Sequence, residues 1–414
     1  MRDTDGLDPA ALDAADPLGD CRDLFVLPAD GHIYLDGNSL GLLPKATAER
    51  LADVVRREWG EGLIDSWNSA DWIGLPQRVG GKIAPLIGAR PHEVIACDST
   101  SVNIFKALCA ALACNSPRTV LLSETGNFPT DLYMMQGLQK LTGGRVEARS
   151  VSPDDLESAI DDNVAAVLVT QVHYKTGRMR DLHALTAKAH AAGALIVWDL
   201  SHSTGAVDVD LTAAHGDFAV GCGYKYLNGG PGAPAYIYAA ERHHAAALPA
   251  LAGWFGHAAP FAFEDGYRKA RGIEQFLAGT PPILGLAALE SGLDVMSGVP
   301  MAAVRAKSLM LQQVFLETLA PAMERHDLEL VSPADPGERG SQLSFRHADA
   351  YALIQAMKAC GVTGDFREPD IARFGFTPLY ISHAEAAEAA QRLVTVLDEA
   401  AWDRPEYRER AAVT

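Results

Sequence analysis

Between about residue 90 and residue 240, short apolar runs rich in Val, Ile and Leu alternate with Ala- and Leu-rich stretches whose apolar residues recur every three or four positions. Each run is too apolar to leave a face in water, and each intervening stretch is long enough to cross a sheet as a helix. The alternation therefore predicts a mainly parallel sheet covered on both sides. The expected strands are 119–123, 165–170, 194–199, 218–222 and 235–238; the expected helices are 102–113, 132–141, 154–160 and 182–192. After about residue 295 the pattern changes. A long helix is expected over 301–323, strands in "LELVSP" and "SQLSFRH", and helices over 350–359 and from 384 to about 400. The chain divides on this reading into an N-terminal segment (1–45) packing with the small domain, a large α/β domain (46–295) and a smaller α+β domain (296–414). The last dozen residues, "DRPEYRERAAVT", are expected to fray.

The chain's 414 residues, 48% of them hydrophobic, suffice for two domains. A net charge of −18 repels phosphate backbones and anionic membranes, so a small molecule is the expected partner. No run approaches about 18 apolar residues. The N-terminus, "MRDTDGLDPAALDAADPLGD", resembles neither a secretory signal nor a basic transit peptide, and a cytoplasmic protein is expected. Cys21, Cys97, Cys109, Cys114, Cys222 and Cys360 form no C-x-x-C pair, so reduced thiols are expected and a metal site is not.

In an open α/β sheet, ligands bind beyond the carboxyl ends of the strands. Polar residues concentrate there: Thr170, then Asp199 with His202 behind it, then Tyr224 and Lys225. Asp199 and Lys225 are the two residues a pyridoxal phosphate enzyme requires. A lysine can hold the coenzyme aldehyde, and a carboxylate can keep the pyridine nitrogen protonated so that the ring accepts electrons. Gly229, Gly230 and Gly232 allow tight, positive-φ backbone after the lysine. Ser99, Thr100 and Ser101 open an apolar-periodic helix, where a phosphate dianion or an ordinary N-cap would sit equally well. "ETGNFPTDLYMM" offers Phe128 as a flat face for a ring, and Asp131 as a polar partner or cap.

With "YLDGNSLGLLP", "TSVNIFK", "NFPTDLY", "WDLSHSTGAVDVDL", "GYKYLNGGPGAPA", "GWFGH", "GTPPILGL" and "REPDIARFGFTPLY", the chain resembles the kynureninases, within the aspartate aminotransferase-like (fold type I) pyridoxal phosphate enzymes, over nearly its full length. The resemblance implies that Lys225 carries the coenzyme, Asp199 faces the pyridine nitrogen, and His202 and Thr170 assist. Phe128 would stack on the ring, with Pro129, Thr130 and Asp131 beside it, and Thr100, Ser101 and Tyr224 would hold the phosphate. Trp254 and Thr280 would come from the second subunit of a homodimer. Arg373 would grip the substrate α-carboxylate, as its planar fork suits. Asn38, Ser39 and Trp67 would line the aryl end.

The implied reaction is hydrolytic Cβ–Cγ cleavage of L-kynurenine to anthranilate and L-alanine, in tryptophan catabolism or on the route to NAD. The 3-hydroxy derivative, yielding 3-hydroxyanthranilate, is a second candidate substrate. Lys225, Tyr224 and Asp199 would carry the chemistry, Tyr224 as a proton relay. Cysteine desulfurases and other class V aminotransferases are the nearest alternative. They commonly place histidine before the lysine, where this chain has Tyr224, and its late cysteine, Cys360, ends a helix-like stretch. A non-catalytic coenzyme-binding regulator would usually carry a DNA-binding domain, for which the acidic N-terminus is too short.

Overall fold

Val164–Thr170 is buried along its whole length and forms an inner strand of a seven-stranded sheet in the computed structural model, which describes residues 7–29 and 31–410. In chain order the strands are β1 (Val94–Ala96), β2 (Val120–Glu124), β3 (Glu147–Val151), β4 (Val164–Thr170), β5 (Leu195–Asp199), β6 (Phe218–Gly221) and β7 (Tyr236–Ala239). They lie in the order β1-β7-β6-β5-β4-β2-β3. Every pairing is parallel except the two made by β7.

Both faces of the sheet are covered, which is why its inner strands read as unbroken apolar runs. Leu121, Ala166, Leu168 and Val197 pack on one side with Ile104 and Leu108 of helix α1 (Thr100–Cys114) and Met135 and Leu138 of α2 (Pro129–Leu141). Leu122, Val167, Val169, Ile196 and Trp198 pack on the other, with Leu182, Leu185 and Ala189 of α3 (Leu182–Ala191). Each fully buried Val or Leu contributes about 1.5–3 kcal/mol. Trp198, fully buried, also donates its indole N–H to Thr186 Oγ1 (3.1 Å).

A second, four-stranded antiparallel sheet contains β8 (Glu329–Leu330), β9 (Gln342–Arg346), β10 (Asp365–Arg367) and β11 (Ile371–Gly375), in the order β10-β11-β9-β8. Helices Met301–Met323, Ala350–Ala359 and His383–Asp398 accompany it, close to their expected bounds. Near the start of the chain, Ile33–Tyr34 pairs in parallel with Val362–Thr363, and Asp36 bridges to Gly375.

Three local expectations are corrected. Residues 154–160 form turns, not a helix: Ala159 N reaches both Asp155 O and Leu156 O. Strand β3 was not anticipated, because as the sheet's edge it keeps exposed polar residues. The described part of the C-terminal dozen is held in place rather than frayed. Pro405–Arg408 is helical, Arg408 pairs with Asp349, and the Arg410 guanidinium lies 4.3 Å from the Tyr351 ring centroid; residues 411–414 lie outside the described residues. All six cysteines are free thiols. No helix among the described residues is long and apolar enough to cross a membrane, and no cluster there is suited to a metal ion.

Candidate active site

The connection leaving β2 runs outward to β3, whereas the chain from β4 onward returns across the sheet, so the strand order reverses between β2 and β4. Such a switch point opens a crevice at the strands' carboxyl ends. A cavity of about 400 Å³ lies in this region, and Thr170, Asp199 and Lys225, from the carboxyl ends of β4 and β5 and from the loop after β6, all line it. Thr170 and Asp199 are register partners on adjacent strands.

Asp199 is 2% exposed and accepts from Ser201 N (2.8 Å). Burial pushes its pKa up, while Lys225 draws it down. Asp131 is fully buried, its pKa raised well above the usual carboxylate range by burial and then by Asp199; it accepts from Asn127 Nδ2 (3.1 Å), and its Oδ1 has no partner among the described residues. Two desolvated carboxylates, of which Asp199 lines the cavity, beside a single lysine favour positive charge at this end. Lys225 Nζ lies 2.9 Å from His202 Nε2. Burial, then the lysine, hold the His202 pKa well below its ordinary value, so the imidazole is neutral and its Nε2 can accept from Lys225 Nζ. His202 thus supports the lysine, and no hydrogen bond joins it to Asp199 among the described residues.

The loop carrying Lys225 is shaped by close approaches. A Cβ on Gly223 would stand 2.3 Å from Pro234 O, and one on Gly229 2.7 Å from Gly223 O. Gly230 and Gly232 adopt positive φ; Gly229 does not, and is required for space instead. Gly41 N donates to Tyr224 O (2.8 Å), and a Cβ there would lie 2.4 Å from Lys225 O.

Two helix N-termini meet at the same cavity. Ser99 caps α1, its Oγ accepting from Val102 N, and Ser99, Thr100 and Ser101 all line the space. Thr130 lies in the first turn of α2, with its Oγ1 2.6 Å from Ser101 Oγ. First-turn amides lack intrahelical partners, so two such termini with their hydroxyls suit a dianion. Phe128 and Tyr224 line the cavity too, with Phe128 edge-on to Tyr174 at 5.1 Å between centroids. Pro129 occupies the first position of α2 and is not among the lining residues.

Other expected residues sit elsewhere. Trp254 and Thr280 are exposed and absent from this cavity. Trp67 packs against Trp72 and Phe255 rather than entering it. Arg373, 1% exposed, is not a lining residue: Nε donates to Asp365 Oδ1 (2.7 Å), Nη2 to Asp365 Oδ2 and to Ser39 Oγ (2.9 Å), and Nη1 to Tyr174 O. Asn38 is buried and donates to Gln342 Oε1 (3.3 Å). The sequence reading did not single out Asn127, whose Oδ1 accepts from Thr170 Oγ1 and Phe128 N while its Nδ2 reaches Ser123 and Asp131. Nor did it single out Tyr174 or Asp365.

The fold defines a class. Cysteine desulfurase CsdA from Escherichia coli superposes with a TM-score of 0.76 at 19% identity, covering 95% of this chain and 98% of that one. C-DES, solved with glycine covalently linked to its PLP cofactor, gives 0.78 at 15% identity, covering 90% and 98%. At such identities the likeness shows the architecture alone, that of the fold type I enzymes. Sequence is more specific. The kynureninase of Deinococcus radiodurans is 52% identical over 394 residues, 94% of this chain and 95% of that protein, and residues 304–393 match the model of the kynureninase C-terminal domain. The chain belongs to the kynureninase family.

Proposed function

We propose that this protein cleaves L-kynurenine hydrolytically at the Cβ–Cγ bond, giving anthranilate and L-alanine, with pyridoxal 5'-phosphate as coenzyme. The observation that carries the reading is the cavity's polarity. Buried Asp199 and Lys225 line it together with two hydroxyl-bearing helix N-termini, and a second buried carboxylate, Asp131, interacts electrostatically with both, a fit for a ligand with a cationic ring nitrogen and a phosphate. The bound coenzyme supplies an electron sink for negative charge at the substrate α-carbon.

The chain's own residues do the rest. Lys225 holds the coenzyme and, once released by the substrate amine, moves the α-proton; neutral His202 accepts from Nζ and orients it. Asp199, pushed toward its neutral form by burial, is ionised by a cationic partner, and its charge keeps the ring nitrogen protonated. Thr170, Asp131 and Asn127 brace that end, Phe128 packs on the ring, and Thr100, Ser101, Thr130 and Tyr224 hold the phosphate. The Tyr224 hydroxyl, its pKa raised chiefly by burial, stays protonated at neutral pH and relays a proton to the departing β-carbon. Arg373 binds the substrate carboxylate, with Ser39 and Asn38 beside it.

We further assign residues 1–45, 46–295 and 296–414 to an N-terminal segment, a large domain and a small domain, a division supported by the separate seven-stranded and four-stranded sheets and by the pairing of Ile33–Tyr34 with Val362–Thr363. Exposed Trp254 and Thr280 serve the site of the second subunit in a homodimer, and half-buried Trp67 is assigned to the aryl end. The setting we assign is the cytoplasm. The experiment is to purify the protein with coenzyme, record its visible absorption before and after borohydride, and follow anthranilate fluorescence on adding kynurenine. A coenzyme-coloured protein that releases anthranilate is expected. Colour without anthranilate sinks the assigned reaction, and a colourless protein sinks the coenzyme site.

A further inference from the structure

Arg373 has little left to offer a ligand. Its Nε and Nη2 fork is closed on Asp365, Nη2 also reaches Ser39, and Nη1 donates to Tyr174 O. Of a guanidinium's five N–H groups, only the second on Nη1 remains free. On the neighbouring strand β10, Arg367 draws on the same acceptors and is far less occupied. Its Nη2 donates to Asp365 Oδ2 (2.6 Å) and Ser39 Oγ (3.3 Å). Its Nε is buried with no partner, and among the described residues its Nη1 has none either. A buried N–H without an acceptor is costly, so an arriving acceptor gains what the free protein lacks.

Arg367 is also reachable. Its side chain is 33% exposed against 1% for Arg373. Like Arg373 it is not among the residues lining the cavity, but its charge opposes the raised pKa values of Tyr174 and Tyr224 and, after that of Arg373, deepens the depression at His202, and all three line the space. Register explains the division of labour. Asp365 is the cross-strand partner of Arg373, so that pair closes within the sheet, whereas Arg367 stands opposite apolar Ile371 and keeps most of its donors.

We propose that Arg367 is a second substrate-carboxylate residue, supplying donors that Arg373 has committed to Asp365. The inference rests on the site being one for an α-amino acid, as argued above. Its chemistry is a guanidinium donating to a carboxylate, and Asp365 positions both arginines.

The test uses coenzyme-loaded wild-type protein, Arg367→Gln and Arg367→Lys, titrated through the coenzyme's visible band with L-alanine and with ethylamine, which lacks the carboxylate. Arg367→Gln is expected to raise the dissociation constant for L-alanine roughly 10- to 100-fold while leaving that for ethylamine within about twofold. Arg367→Lys falls between, since it keeps the charge and loses the fork. With kynurenine, KM rises by a similar factor and kcat changes little. Unchanged L-alanine affinity, or equal losses for both probes, overturns the proposal. If Arg367→Gln fails to retain coenzyme, the lysine variant, which keeps a cation beside Asp365, carries the same comparison. Failure of the wild-type protein to release anthranilate counts against the assigned reaction, while the L-alanine and ethylamine comparison still reads on Arg367.

Discussion

Replacing Asp365 by alanine strands a buried charge. Asp365 is 2% exposed and accepts from Arg373 Nε, Arg373 Nη2, Arg367 Nη2 and Ser39 Oγ. Without it, Arg373 keeps only Tyr174 O and Ser39, although it is itself 1% exposed. Breaking a buried pair from one side costs about 3–5 kcal/mol, because the surviving charge is left uncompensated. Spread over an unfolding entropy of about 2.1 cal/mol/K per residue, or about 0.9 kcal/mol/K for this chain, the loss lowers Tm by about 3–6 °C. The control lies in the same sheet: Glu329→Ala removes one of the two carboxylate partners of Arg346, from a pair with 60% and 46% of its side chains exposed, and costs under about 1 kcal/mol. Calorimetry of the coenzyme-loaded variants separates the two, and KM for kynurenine should rise in Asp365→Ala alone. Equal Tm values for Asp365→Ala and Glu329→Ala would refute the claim that this carboxylate neutralises the buried arginine.

Burial, with Asp365 adding to it, raises the Asp36 pKa from 3.8 to about 7. Between those values the folded protein binds more protons at Asp36 than the unfolded chain does, so the wild type loses stability as pH rises through that window. Asp36→Asn should therefore gain stability relative to wild type on going from pH 4 to pH 8, and a flat difference across denaturant titrations would contradict this. Asn127→Ala leaves Asp131 and the Thr170 hydroxyl without their shared partner and should cost about 1–3 kcal/mol for each orphaned group. Coenzyme affinity, followed by spectral titration, should weaken with it, and unaltered affinity would show that Asn127 does not brace the site.

What was legible in the sequence follows from burial. Strands β4, β5 and β6, covered on both faces, wrote themselves as apolar runs and were located to within a residue. Strand β3, exposed and polar at the edge, left no such trace, and β1 is too short to show periodicity. Lys225, Asp199 and the hydroxyls of α1 were readable because strand ends and helix starts have local signatures. The surroundings of Arg373 were not. Arg373 could be picked out by its motif, but its pairing with Asp365 depends on a strand register, and its contacts with Ser39 and Tyr174 join residues far apart in the chain. The alternation in "DFREPDIAR" is the local signal from which a hairpin, and hence that register, could have been read.

The segment from Ile33 to Gly41 touches both halves of the site: its strand pairs with Val362–Thr363, Ser39 meets Arg373, and Gly41 is bonded to Tyr224. During synthesis these halves emerge at very different times. The lysine loop and helices α1 and α2 are synthesised by residue 235, while the arginines arrive more than a hundred residues later. A nascent chain can thus assemble most of the cavity wall early, yet residues near its start wait for Asp365 and Arg373 before their contacts can close.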